Sequence, residues 1–233
     1  MALIIATKFN RVEIVEFLLS KPEIDMNLKG EYGWTALMFA SWKGYTEIVE
    51  LLLSRLDIYI NQQSSGSTAL MIASWEGYTE IVELLCLKPE LNVNLQDVDG
   101  ETALIKASRH NFGKIVKLLL SRSDLDVNLR NKFSGTALMT AACHGNTKIV
   151  ELLLSRPDLD VNLQYKNGST PLMRTVCRGY TEIVELLLSR PESSASQRLN
   201  VNLQDKDGST ALILASKRGN TKIISLLENH KQK

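Results

Sequence analysis

Residues 158–191 read Asp158-Leu-Asp-Val-Asn162-Leu-Gln, then Tyr165-Lys-Asn-Gly168-Ser-Thr170-Pro-Leu, then Met173-Arg-Thr-Val-Cys177-Arg-Gly179-Tyr-Thr-Glu-Ile183-Val-Glu-Leu-Leu-Leu188-Ser-Arg-Pro191. Gly168 follows three polar residues and marks a turn, because glycine takes positive φ at little cost. Thr170 then places a hydroxyl where it can cap a short helix. Pro171 suits the first helical position, where its missing N–H loses no bond. Gly179 ends that helix. A second helix runs through Ile183, Val184, Leu186, Leu187 and Leu188. Its apolar residues cover more than one face, as a helix with a neighbour on each side requires.

The same stretch recurs along the chain. Thr-Ala-Leu stands at Thr35, Thr68, Thr102, Thr136 and Thr210, and Thr-Pro-Leu at Thr170, with successive spacings of 33, 34, 34, 34 and 40 residues. A further copy, without its first part, begins at Ala2. A fixed period of this length is the signature of a stacked solenoid. The unit resembles the ankyrin repeat, through Asp99-Gly100-Glu101-Thr102-Ala103-Leu104, through Gly44 with Glu47-Ile48-Val49-Glu50-Leu51-Leu52-Leu53, and through Asp160-Val161-Asn162. The resemblance implies an all-α solenoid of helix-turn-helix units with β-turn fingers. The expected organisation is one domain over 1–233, with copies at about 1–26, 27–60, 61–93, 94–127, 128–161, 162–201 and 202–233. Met38, Met71, Ile105, Met139, Met173 and Ile213 stand where the family often has His. Asn10 and Asn111 replace the glycine between helices, and Asn is the residue that best tolerates that turn after Gly.

Two irregularities mark the array. The finger Gln62 to Ser67 is one residue short, and Ser193 to Arg198 is an insert that reads as a solvated loop or a loop that a partner reads. The ends are unequal. Ser225 and Glu228 make the last copy more polar, as a terminal cap needs. Leu3, Ile4, Ile14, Val15 and Leu18 in the first copy carry no such change, so either upstream chain or another surface is expected to cover them, and self-association through this end is one option.

Composition limits the function. No run of apolar residues is long enough for a membrane span, and the start is too short for a secretory signal. Three cysteines do not make a disulfide framework. Cys143 and Cys177 occupy the same place in adjacent copies, about 10 Å apart, too far for a disulfide or for one zinc ion shared with His110 and His144. The expected setting is therefore reduced and intracellular, in the cytoplasm first, with the nucleus or a host-cell cytosol as alternatives. No phosphate loop, zinc-protease motif or nucleophile elbow occurs. Neighbours such as Cys143 and His144 point about 100° apart on a helix. The chain reads as a non-enzyme with no cofactor.

Residues 1–100 hold 7 Lys/Arg and 14 Asp/Glu, and residues 101–233 hold 20 and 12, so a net charge of +1 conceals −7 against +8. In the ankyrin family, partners usually meet the finger tips and the inner face of the first helix. Carried over copy by copy, that implies Tyr32, Trp34, Trp42 and Lys43, then Trp75 and Glu76, then Arg109 and His110, then Lys132, Phe133 and His144, then Lys166 and Arg178, and last Lys217 and Arg218. All three tryptophans fall in this set, Trp34 on the finger and Trp42 and Trp75 side by side on the first helices. Other copies have Arg109, Cys143, Cys177 or Lys217 at the same place, so stacking does not require Trp there. The rings read either as a binding hot spot or as shields lying flat on their neighbours. The C-terminal part, with Lys106 and Arg174 nearby, is cationic. A partner protein segment with an apolar anchor and acidic or phosphorylated residues would complement the whole. The rival reading is a polyanion, nucleic acid or phosphoinositide, on the basic half. A spacer that binds nothing is the third. The ladder Asn27, Asn61, Asn94, Asn128, Asn162 and Asn202 is expected to tie finger to finger. The resemblance also implies a hydroxylation context at Asn128 and Asn162.

Overall fold

The computed structural model describes residues 1–190 and 198–231. The repeated letters explain each helix pair. Thr35 is extended, its hydroxyl accepts from the Met38 N–H at 3.3 Å, and α3 (Ala36–Lys43) starts there. The same cap recurs from Thr68, Thr102, Thr136, Thr170 and Thr210 to the N–H three residues on, at 3.2–3.3 Å. Each such bond satisfies an N–H that a helix start leaves open. Gly44 closes α3 at φ 74, its N–H returning to the Ala40 carbonyl, and α4 (Thr46–Leu53) follows directly. Asn10 and Asn111 make the equivalent turn at φ 51 and 61.

Fourteen α-helices occur among the described residues. Besides α3 and α4 they are α1 (Ala2–Lys8), α2 (Val12–Leu19), α5 (Ala69–Glu76), α6 (Thr79–Cys86), α7 (Ala103–Arg109), α8 (Gly113–Leu120), α9 (Ala137–His144), α10 (Thr147–Leu154), α11 (Pro171–Arg178), α12 (Thr181–Ser189), α13 (Ala211–Arg218) and α14 (Thr221–Lys231). The chain divides into two compact units, Met1–Ala107 with Lys117–Leu125, and Ser108–Val116 with Asp126–Lys233.

In the first unit, α1, α3 and α5 lie side by side as one layer, and α2, α4 and α6 form a second. Ile48, Val49 and Leu52 of α4 and Ile81, Val82 and Leu85 of α6 are fully buried between neighbours. Each such side chain contributes about 1.5–3 kcal/mol. Leu3, Ile4 and Val15 of the first pair are buried as well, whereas Ile5, Phe9 and Phe17 are exposed. Ile14 is 51% exposed, whereas its counterpart Ile48 is at 0%. In the second unit, α9, α11 and α13 form one layer and α10, α12 and α14 the other. Ile149, Val150, Leu153, Ile183, Val184 and Leu187 fill its centre.

Polar ties brace each copy from end to end and join successive copies inside each unit. Asn27 Nδ2 donates to the Asp57 carbonyl at 2.7 Å while its Oδ1 accepts from the Tyr59 N–H at 2.7 Å. Asn61, Asn94, Asn128 and Asn162 bond in the same way, each to the turn at the far end of its own copy. This corrects the expected finger-to-finger role. The asparagine precedes its finger, and the carbonyl it faces belongs to the turn after the next second helix. Fingers are joined instead by glutamines, as Gln63 Nε2 to the Gln96 carbonyl at 3.0 Å and Gln164 Nε2 to the Gln204 carbonyl at 2.9 Å. Arg122 forks onto Asp124 and also donates to the Cys86 and Leu91 carbonyls of the copy before. Of the predicted insert, Ser193 to Gln197 lie outside the described residues.

Candidate functional site

Trp34 stands just before the cap Thr35. Its backbone is extended (φ −84°, ψ 139°), which turns the ring back over α3. There it meets Phe39 at 5.1 Å and Trp42 edge-on at 5.6 Å and 84°. The sequence reading had Trp34 projecting from the finger; it folds back because α3 offers it two aromatic partners. Lys43 Nζ sits 3.6 Å from the centre of the Trp42 ring. One copy further along the same layer, Trp75 holds the position on α5 that Trp42 holds on α3. All three tryptophans line one open groove of about 190 Å³, over buried Met71 and Ile72 and beside Glu76 and Lys106. Trp42 and Trp75 remain 39% and 41% exposed. Tyr32 is 85% exposed at the finger tip, at φ 63, its carbonyl accepting from the Ser64 hydroxyl at 2.6 Å.

Lys106 was expected to add to a basic face. The structure places its ammonium 2.7 Å from Asp97 and 3.6 Å from Glu101, and 5.2 Å from the Trp75 ring centre. The finger of its own copy bends over α7 and brings both carboxylates to it. Burial pushes the Asp97 carboxyl up, but the Lys106 bond, the Glu101 and Asp99 N–H groups and the lysine charge outweigh it, so Asp97 lies below the ordinary carboxylate range. Nothing in the spacing of Asp97 and Lys106 marked this cluster, because it forms only when the finger folds.

In the second unit, Lys132, Lys166, Arg178, Lys217 and Arg218 are exposed, and Lys217 Nζ reaches the Ser209 hydroxyl at 3.3 Å. Phe133 is exposed at a finger tip. Arg109 is half-buried and His110 stacks on Phe112 at 5.7 Å. The residue missed from sequence is Tyr165. Arg174 lies over its ring at 4.7 Å, and its hydroxyl is 3.7 Å from Cys143 Sγ. Burial first, and Cys143 beside it, push the Tyr165 hydroxyl well above the usual tyrosine value despite the opposing charges of Arg174 and Arg109. Tyrosine stands there in place of the Asn131 or Asp205 of neighbouring fingers. Those residues accept backbone N–H bonds, a role that Asn167 takes in this copy.

His144 Nδ1 pairs with the Thr140 carbonyl at 2.8 Å, so Cys143 and His144 bond to different partners and do not form a nucleophile and base. Among the described residues no group of three His, Cys, Asp or Glu could hold a metal ion. Asn128 and Asn162 are half-buried, with both ends of each amide bonded.

A family model described as ankyrin repeats (3 copies) matches residues 1–64, 57–131 and 124–198. The chain belongs to the ankyrin repeat family. Solved ankyrin structures are similar to it. The ankyrin repeat protein EF0377 is 25% identical with a TM-score of 0.76, over 88% of this chain and 98% of that one. An ankyrin repeat domain from Acinetobacter baumannii AYE is 28% identical with a TM-score of 0.75, over 84% and 97%. The ankyrin repeat domain of Bcl-3, described as a unique member of the IkappaB family, is 23% identical with a TM-score of 0.82, over 98% of both chains, and shows the shared fold. Ankyrin repeat domains generally mediate protein–protein interaction and are typically non-catalytic. No described helix of this ankyrin chain is long and apolar enough to cross a membrane.

Proposed function

We propose that this ankyrin chain is a non-enzymatic protein-binding module that takes a segment of a partner protein into the tryptophan groove of its first unit. The observation that carries this reading is that Trp34, Trp42 and Trp75, all the tryptophans of the chain, line one groove. A helix pair stacks equally well with Arg109, Cys143 or Lys217 at the same place, so stacking does not account for the tryptophans. Exposed Trp held by rigid helices gives contact area with little ordering on binding. Truncating such an anchor costs about 2 kcal/mol or more, about thirtyfold in affinity.

The test is capture of partners from a lysate by the wild type and by Trp42→Ala/Trp75→Ala, at low and high salt. A bound protein lost from the double variant and retained at high salt supports the groove. Capture that ignores both tryptophans and vanishes with salt transfers the function to the exposed lysines and arginines of the second unit and to an anionic ligand.

A further inference from the structure

We infer that the tryptophan groove recognises a methylated lysine side chain of the partner protein, held as a cation among the rings. This rests on the protein-binding reading above and specifies the group that enters. Trp34 and Trp42 stand at 84° to each other with ring centres 5.6 Å apart, and Trp75 lines the same space. The faces of such rings are electron-rich and attract a cation within about 6 Å. Two of them already hold ammonium groups of the chain itself, Lys43 on Trp42 at 3.6 Å and Lys106 on Trp75 at 5.2 Å, whose place a ligand cation would take.

Exposed Lys43 must swing off the Trp42 ring to admit a ligand, and with it counted the carboxylates of Asp97, Glu101 and Glu76 still outnumber the ammonium groups by one, which favours an incoming cation. Lys106 lines it but is held by two carboxylates, Asp97 and Glu101, so that cluster carries one net negative charge. Glu76 adds another carboxylate to the lining. The hydrogen-bonding capacity selects among cations. Besides Glu76, the lining offers the Ser67 hydroxyl as a side-chain oxygen, and the remaining lining residues bring rings, aliphatic groups and the Lys106 ammonium. An unmodified ammonium has three N–H donors and a guanidinium five, and each donor brought in without an acceptor costs free energy. Methylation keeps the positive charge, replaces N–H donors with methyl groups that pack on indole, and removes that cost.

The experiment uses the full chain and three short peptides of one sequence, carrying trimethyllysine, its uncharged carbon isostere ending in a tert-butyl group, or lysine. Tryptophan fluorescence reads binding. The trimethyllysine peptide is expected to bind about tenfold more tightly than either of the others. Trp75→Ala should erase that preference. Glu76→Gln, an exposed change that leaves the fold alone, should weaken the charged peptide about threefold and leave the isostere unchanged. Equal binding of charged and neutral peptides overturns the cation inference and leaves an apolar anchor, so the protein-binding reading survives. Equal binding of lysine and trimethyllysine overturns the requirement for methylation. Binding of none of the three overturns the inference, and the lysate capture then decides the protein-binding reading separately.

Discussion

Replacing Lys106 with Met keeps the stem of the side chain and removes its charge. Asp97 is then left with its side chain only 7% exposed and no counter-ion, although the Asp99 and Glu101 N–H groups still donate to it at 2.9 Å. Breaking a buried ion pair by removing one partner costs about 3–5 kcal/mol. A ceiling applies, because the stranded carboxyl can take up a proton instead. At pH 7 that uptake costs about 4 kcal/mol, and each pH unit lower removes about 1.4 kcal/mol. With the two N–H bonds retained, Lys106→Met should destabilise the chain by about 2–4 kcal/mol at pH 7 and by clearly less at pH 5. The sign follows from the folded-state acidities. In the wild type Asp97 is depressed, so its contribution is constant between pH 7 and 5 and is lost only in stronger acid. In the variant the carboxyl is raised, and its penalty fades as pH falls toward the unfolded value. Urea unfolding followed by circular dichroism at both pH values measures the difference. A loss below about 1 kcal/mol at pH 7, or an equal loss at both, refutes the account of this cluster.

Gly44 and Gly208 both hold positive φ, at 74 and 72, but a Cβ at Gly44 would fall 2.6 Å from the Tyr78 ring while one at Gly208 meets nothing within 4 Å. Gly208→Ala should therefore cost about 1–2 kcal/mol from backbone strain alone, and Gly44→Ala clearly more, on the same urea assay; equal costs would show that the Tyr78 ring gives way freely. Burial raises the Cys86 thiol to about 11, outweighing the Arg122 charge. Iodoacetamide at pH 8 should label it about a hundredfold more slowly than an unperturbed thiol, read by mass spectrometry of the Cys86 peptide, and labelling at the ordinary rate would show that the thiol is not so enclosed.

The helices were legible because each depends on letters a few residues apart. Thr170 caps Met173, and Gly179 turns the chain into the next helix, and neither needs a distant partner. The tryptophan groove was legible in part. A spacing of one period put Trp42 and Trp75 together, but the fold-back of Trp34 depends on Phe39 and Trp42 receiving its ring. The second unit was less legible still. Tyr165 and Cys143 lie 22 residues apart and meet because one finger leans on the helix of the preceding copy. The left-handed backbone at Tyr32, Ser65 and Ser134 was also missed, since turn reading by residue type looks for Gly or Asn there. What escaped is what depends on how a finger bends, and the repeated letters specify that bend only loosely.

The glutamine and arginine ties each run from one copy to the next, Gln63 to Gln96 and Arg122 back to Cys86 in one unit, Gln164 to Gln204 in the other. Links of that kind carry a pulling force in series. A chain held by its two ends in an optical trap would yield a copy at a time, each release paying out about 110 Å of slack for about 34 residues. The molecule would then behave as an extensible tether whose length changes in steps, with each step set by the weakest pair of neighbouring copies.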